Sequence, residues 1–223
     1  MQPERPTVAT HAGTVAPGWV EIETGGELDR YAPRVLAFVA PTTVKIGVAH
    51  AMQLDANFSV LHDTPDGRSG TGFGDASIGL KMRLVDDAPI VGDFAVLPSV
   101  KFPTGSTRSG FGSGTTDVAL LLISSHAFGG VSMDVNAGVT RRSGDGSKAP
   151  TLASVWTVSF GLPVAGRMGW AAELFGYPGT GGPQGSPGTA AILTGPTYLM
   201  RDWLAFDTGV IAPLTGPQPR AAF

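Results

Sequence analysis

Ser124 and His126 stand two residues apart, a spacing that on extended chain puts hydroxyl and imidazole on one side, where they could act as a nucleophile and its base. That side is apolar, shared with Val118, Leu120 and Leu122, and carries no carboxylate to orient the imidazole, so the pair reads as interfacial rather than catalytic. The other histidines, His11, His50 and His62, lack metal-ligand spacing. The runs Gly70-Thr71-Gly72-Phe73-Gly74 and Gly110-Phe111-Gly112-Ser113-Gly114 have the glycine density of phosphate-cradling loops. Neither leads from a strand into a helix, so both read as plain loops, and no catalytic residue, cofactor or metal is expected. The densest charge cluster is Glu21, Glu23, Glu27 and Asp29, all on one face of an extended segment. It is either an acidic lining that binds cations or polar groups in a channel, or a solvated wall countered by Lys45, Lys81, Arg83 or Lys101. The balance favours the wall.

Composition narrows what could position these residues. Of 223 residues, 42% are hydrophobic and only 15% charged, against about 25% charged in ordinary soluble domains. Gly (32) and Pro (18) punctuate the chain too densely for a helical bundle. A net charge of -3 leaves no basic surplus for phosphates, so nucleic acid is excluded as a partner. There is no cysteine, hence neither disulfides nor a thiolate nucleophile. The longest apolar runs, such as Val118 to Ile123, fall far short of the roughly 18 residues of a membrane-spanning helix. Met1 to Ala12 has no apolar stretch of the secretory type.

The period of the chain is two. Met52, Leu54, Ala56, Phe58 and Val60 alternate with Gln53, Asp55, Asn57 and Ser59. The same alternation runs through 75–84 and 131–142, and more weakly through 18–30, 34–46, 93–103, 117–127, 152–162, 168–177, 189–200 and 204–213. These are about eleven strands of about 10 to 13 residues, longer than the five or six usual in soluble sheets and matched to the roughly 9 to 11 of a tilted bilayer-crossing strand. Pro41, Pro98 and Pro196 fall inside them, each removing a ladder donor. Short links at 47–51, 86–92, 128–130, 163–167 and 201–203 alternate with long ones at 62–73, 104–116, 143–151, 178–188 and 214–222. Short turns at one rim and long loops at the other predict an all-β, antiparallel, up-and-down transmembrane β-barrel of about 12 strands.

A barrel of that size encloses more space than side chains fill, which places the polar face inside and the apolar face in outer-membrane lipid. The expected lumen lining, and the candidate transport residues, are Glu21, Glu23, Glu27, Asp55, Asp75, Lys81, Arg83, Lys101, Asp134, Asn136, Glu173 and Asp207. Leu54, Phe58, Ile78, Leu80, Val135 and Val139 are expected to point outward. Trp19, Tyr31, Phe102, Phe128, Trp170, Tyr177, Tyr198 and Trp203 fall at strand ends, as interfacial girdles do.

Four stretches carry a family resemblance: Gly18-Trp19-Val20-Glu21-Ile22-Glu23-Thr24-Gly25; Gly74-Asp75-Ala76-Ser77-Ile78-Gly79-Leu80-Lys81; Leu97-Pro98-Ser99-Val100-Lys101-Phe102-Pro103-Thr104-Gly105; and Asp134-Val135-Asn136-Ala137-Gly138. In order and spacing the chain from Gly18 onward resembles the outer-membrane β-barrel family labelled for the meta-pathway of phenol degradation, whose members are often described as transporters. The resemblance implies an outer-membrane location in a Gram-negative bacterium and uptake of small solutes, aromatic or hydrophobic compounds among them. It carries over no catalytic residue. Asp75, Lys81, Lys101, Thr104, Asp134 and Asn136 match the family pattern without an assigned role.

Two units are therefore expected, an N-terminal periplasmic segment over 1–17 and an outer-membrane β-barrel over 18–223. The function expected is a channel or transporter for small molecules, not an enzyme; a lipid-modifying hydrolase built on Ser124 and His126, or a structural or adhesive barrel, are the alternatives. An odd strand count leaves one strand wanting. The family's closing strand is not found before Phe223, which reads as the first residue of a twelfth strand; Thr7 to Val15 is the alternative filler.

Overall fold

Side chains that alternate at period two can serve two unlike surroundings only on extended backbone, and extended backbone must pair its N–H and C=O groups laterally. The computed structural model, which describes residues 4–32, 35–62 and 69–216, arranges them accordingly as one antiparallel sheet of fourteen strands. In chain order these are β1 (Val20–Thr24), β2 (Glu27–Ala32), β3 (Val35–Ala49), β4 (Met52–His62), β5 (Thr71–Phe73), β6 (Ala76–Ala88) and β7 (Gly92–Phe102). They continue as β8 (Asp117–Phe128), β9 (Val131–Arg142), β10 (Leu152–Ala165), β11 (Met168–Tyr177), β12 (Thr189–Arg201), β13 (Leu204–Asp207) and β14 (Val210–Thr215). β1 and β2 both pair with β3, β5 and β6 both with β4, and β13 and β14 both with β12. Each couple is one interrupted strand, so the fourteen elements make eleven passes, joined in up-and-down order. Among the described residues there is no helix.

The interruptions explain how the sheet tolerates Pro41, Pro98 and Pro196. Pro41 falls where β1 ends at Thr24 opposite Thr42 and β2 resumes at Glu27 opposite Val39. Pro196 faces the break between Asp207, opposite Thr197, and Val210, opposite Thr194. Pro98 lies where the β6–β7 ladder lapses between Gly79 opposite Ser99 and Met82 opposite Val96. In each case the missing donor coincides with a gap in one neighbouring ladder. The carbonyls stay in use: the Gly25 N–H donates to Pro41 O at 3.3 Å and the Thr208 N–H to Pro196 O at 3.2 Å.

The two faces are partitioned as expected for a polar interior. Phe58, Ile78 and Val139 are 43%, 50% and 54% exposed, whereas Asp55, Lys81 and Asn136 are 5%, 0% and 2% exposed. The sheet curls so that its polar face is concave: Glu4 bonds to residues of β1, β3 and β6, while the next residue, Arg5, reaches Asp207 on β13. The two edges approach across a cavity of about 350 Å³ lined by Glu21, Glu27, Phe206 and Asp207 among others. No ladder joins β1 or β2 to β13 or β14 among the described residues, so the sheet is open there. Thr7 to Val15 is not a strand and fills no gap in the ladder. The twelfth strand anticipated at Phe223 lies outside the described residues, as do the start of the 34–46 segment, residues 63–68 of one long link, and the side chain of Tyr31.

What occupies the concavity is the chain's own beginning. Residues 4–16 run across the polar face without regular structure and enter β1 past the β3–β4 turn. Gly47 permits that passage: a Cβ there would lie 2.1 Å from the Ala16 carbonyl oxygen. Apolar packing inside is slight, with Ala12, Ala95 and Ile123 fully buried against Leu97 and Leu121, and a second cluster of Phe175, Ala191 and Leu193.

Gly195 carries the kink between β13 and β14, since a Cβ there would sit 1.9 Å from the Thr208 carbonyl oxygen. Gly195→Ala is expected to destabilise the fold by about 1–3 kcal/mol through overpacking, read as a lower chemical-denaturation midpoint.

Candidate functional site

Alternation along β3 and β6 turns Lys45 and Lys81 inward, and the curl of the sheet brings both to Glu4. Lys81 Nζ lies 2.6 Å from Glu4 Oε1 and Lys45 Nζ 2.8 Å from Glu4 Oε2, so one carboxylate bridges two ammonium groups. From β1, Glu23 accepts a 2.7 Å bond from Lys45 Nζ and a 2.9 Å bond from the Glu4 N–H, and Glu21 lies 3.4 Å from Lys45. Lys81 has no exposed surface, and its remaining protons go to Thr10 Oγ1 at 2.9 Å and the His11 carbonyl at 3.0 Å, with the Gly13 carbonyl at 3.5 Å. Thr10 Oγ1 also donates to Glu4.

The rest of the segment is held by its backbone. Glu173 on β11 accepts from the N–H groups of Val8 and Ala9, each at 2.7 Å. Asn136 on β9 both accepts from the Thr10 N–H at 2.8 Å and donates to its carbonyl at 2.9 Å. Ser125 Oγ on β8 accepts from the Ala12 N–H at 2.8 Å, and Gln53 Oε1 on β4 from the Val15 N–H at 2.7 Å. Side chains from separate strands thus supply what a neighbouring β-strand would otherwise supply, satisfying a strandless backbone in a buried place.

Burial alone would raise the Glu4 carboxyl above its ordinary 4.5, but attraction from Lys81, then Lys45 and His11, outweighs it and holds the group far below the usual carboxylate range. A carboxyl more acidic when docked than when free stabilises docking fully above its free value and progressively less below it. The groups facing it are Lys45, Lys81, His11, Glu21 and Glu23, with the Asp55 and Asp134 carboxyls near enough to oppose its charge.

The other expected lining residues divide into separate places. Asp55 accepts from Gln53 Nε2 at 2.6 Å, and Asp134 from Ser125 Oγ at 2.5 Å, so both brace side chains that hold the segment. Asp207 lies 3.7 Å from Arg5 Nε, and Glu27 lines the cavity between the sheet edges. Arg83 is turned to Asp86 at 2.9 Å beside a short turn. Asp75 and Lys101 stand apart at the long-loop end, 2.7 Å from each other, with Asp117 3.1 Å from Lys101 and Arg142 3.3 Å from Asp117. Asp75 also accepts from the N–H groups of Gly105 and Ser113, both at 3.0 Å, while Thr104 Oγ1 donates to the Gly74 carbonyl at 3.1 Å. The Gly-Asp and Lys-Phe-Pro-Thr-Gly stretches are therefore two halves of one clamp that folds loop 103–116 back onto the sheet.

Sequence reasoning missed Glu4, Arg5, Thr10, Gln53 and Ser125, and knew Lys45 only as a counter-charge. The available signal was the charge pair Glu4-Arg5 in an otherwise uncharged start, set between Pro3 and Pro6. Ser124 and His126 do meet, at 3.1 Å between Oγ and Nε2, and His126 stacks on Phe128. Ser124 Oγ donates its one proton to the Val91 carbonyl at 2.7 Å, so in this bond the imidazole donates and does not accept the hydroxyl proton. Among the described residues no three His, Asp or Glu are grouped to hold a metal ion.

Glu4→Ala leaves Lys81 buried without its carboxylate and is expected to weaken docking of the segment by about 3–5 kcal/mol, read as faster amide exchange at Val8, Ala9 and Thr10. In the unsubstituted protein the same amides are expected to lose protection as the pH falls below about 4.5, where the free carboxyl protonates. Asp75→Ala is expected to cost about 1.5–3 kcal/mol for each charge-assisted bond lost from loop 103–116, read as faster tryptic cleavage after the exposed Arg108.

No curated protein matches the chain. The model of one family, described as "Putative MetA-pathway of phenol degradation", matches residues 6–217, a span that takes in all the strands, the Asp75 clamp and most of the docked segment. The chain belongs to that phenol-degradation-associated family.

Proposed function

We propose that this protein is an outer-membrane β-barrel transporter of a Gram-negative bacterium that admits small compounds, aromatic and hydrophobic ones among them. The observation that carries the reading is the inverted partition of the sheet: Ile78, Leu120 and Val139 face outward while Lys45, Lys81 and Glu173 are buried inside. Water outside would favour the opposite arrangement, and hydrocarbon outside favours this one. Strand length agrees, since most passes run 10 to 15 residues and about 9 to 11 cross a bilayer. Exposed Trp19, Phe128 and Trp203 at the short-turn end and Phe73, Phe102 and Tyr177 at the long-loop end supply two aromatic bands.

In a bilayer the edge groups of β1 and β2 and of β13 and β14 have to be paired, because hydrocarbon offers them no partner. The reading therefore takes the open edge as the place where the barrel closes. The N-terminal segment lies across the route a solute would take, so transport requires it to shift or leave.

Planar-bilayer conductance and liposome swelling test the reading: permeation of small solutes is expected, and failure to pass any would overturn it. Leu120→Arg is expected to destabilise the membrane-inserted protein by about 2–4 kcal/mol if this side chain lies near mid-bilayer, with a smaller effect for Thr140→Arg on the inner face. Equal effects on both faces would count against lipid outside.

A further inference from the structure

We propose that Lys45 and Lys81 form a binding site for small organic monocarboxylates, which the protein's own Glu4 occupies while the N-terminal segment is docked and which a solute's carboxylate takes over to release it. The inference rests on the transporter reading and names a solute class for it. The site is built from two ammonium groups, 2% and 0% exposed, each on a different oxygen of one carboxylate. Its occupant belongs to a segment outside the sheet.

The two lysines differ in what they keep when that segment leaves. Lys45 retains Glu21 and Glu23 from β1. Among the described residues every hydrogen bond of Lys81 goes to the segment itself, to Glu4, Thr10, His11 and Gly13. Withdrawal would strip Lys81 of all of them at once, and water entering in the segment's place can hydrogen-bond the ammonium but gives it no charge-assisted bond. Exchange of one carboxylate for another keeps such a bond on Lys81 and leaves the charge of the site unchanged. A neutral solute offers no such exchange. A second carboxylate on the same solute would meet the wall's own Asp55 and Asp134, which limits the class to monocarboxylates.

Access is present. A cavity of about 950 Å³ at the short-turn end is bounded by Glu4, His11, Arg83, Ser125 and Asp134, and a second of about 710 Å³ by His11, Val15, Glu21 and Lys45. A small solute entering from that end meets Glu4 together with Arg5, Thr7, His11 and Gly13 in the first cavity and Lys45 in the second.

Because the chain has no cysteine, Ala12→Cys introduces a unique thiol that is fully buried while the segment is docked. Maleimide labelling of the full-length protein in detergent is expected to run severalfold faster with benzoate than without it, and unchanged with benzamide, its neutral counterpart. In a Lys81→Met background labelling is expected to be fast already and indifferent to benzoate. Ala9→Cys, buried next to Glu173, repeats the measurement should the first thiol disturb its neighbours. Labelling that ignores benzoate, or that responds equally to benzamide, overturns the proposal. Uptake into vesicles separates the two levels: neutral solutes that permeate while labelling ignores benzoate overturn the carboxylate site alone. Labelling that follows benzoate with no solute permeating overturns transport and leaves the site.

Discussion

An ammonium group with no access to solvent must find its partners inside the protein, and among the described residues Lys81 finds its own on residues 4–13. That single requirement ties the strandless beginning of the chain to the middle of the sheet. Once Glu4 is drawn between Lys81 and Lys45, the residues that follow are carried along the concave face, where Glu173, Asn136, Ser125 and Gln53 answer their backbone groups in turn. The interior is thus held by directional, charge-assisted bonds rather than by an apolar core, of which only small clusters exist. Directional bonds specify a single docked arrangement while remaining open to exchange with other polar groups.

The same economy runs through the backbone of the sheet. Three prolines inside the long passes, Pro41, Pro98 and Pro196, ought to weaken a ladder, and each coincides with a gap in a neighbouring ladder. Gly195 lets the kink at Thr208 press close. At the opposite end from the turns, Asp75 gathers Lys101, Gly105 and Ser113, so that a long glycine-rich loop is pinned where nothing in its own composition would pin it. Family motifs whose role is obscure as strings of letters become intelligible here as halves of one structural clamp.

Under the proposed transport role a docked segment poses a physical question: the groups it satisfies must be satisfied again when it moves. Water entering a widened interior can serve Gln53, Ser125 and Asn136, which are neutral. The charged positions are costlier, and they are where exchange with a solute of matching chemistry has the most to contribute.

The sequence by itself determined the all-β class, the eleven passes, the alternation of short turns with long loops and the sorting of faces. All of these follow from a period of two, which is local: Phe58 and Asp55 must point to opposite sides whatever the rest of the chain does. It determined the family as well, through short stretches kept in order. Only the tertiary structure decided what the inward charges do. Glu21 and Glu23 read as a cation-binding lining or a countered wall, with the balance toward the wall, until the curl of the sheet set Lys45 between them and Glu4. Residues 4–16 carry no periodicity at all, because they are held by side chains from distant strands, and Glu4 and Lys81 stand 77 positions apart in the chain. Contacts of that separation leave no local pattern to read; they exist only once the curvature of the whole sheet has brought them together.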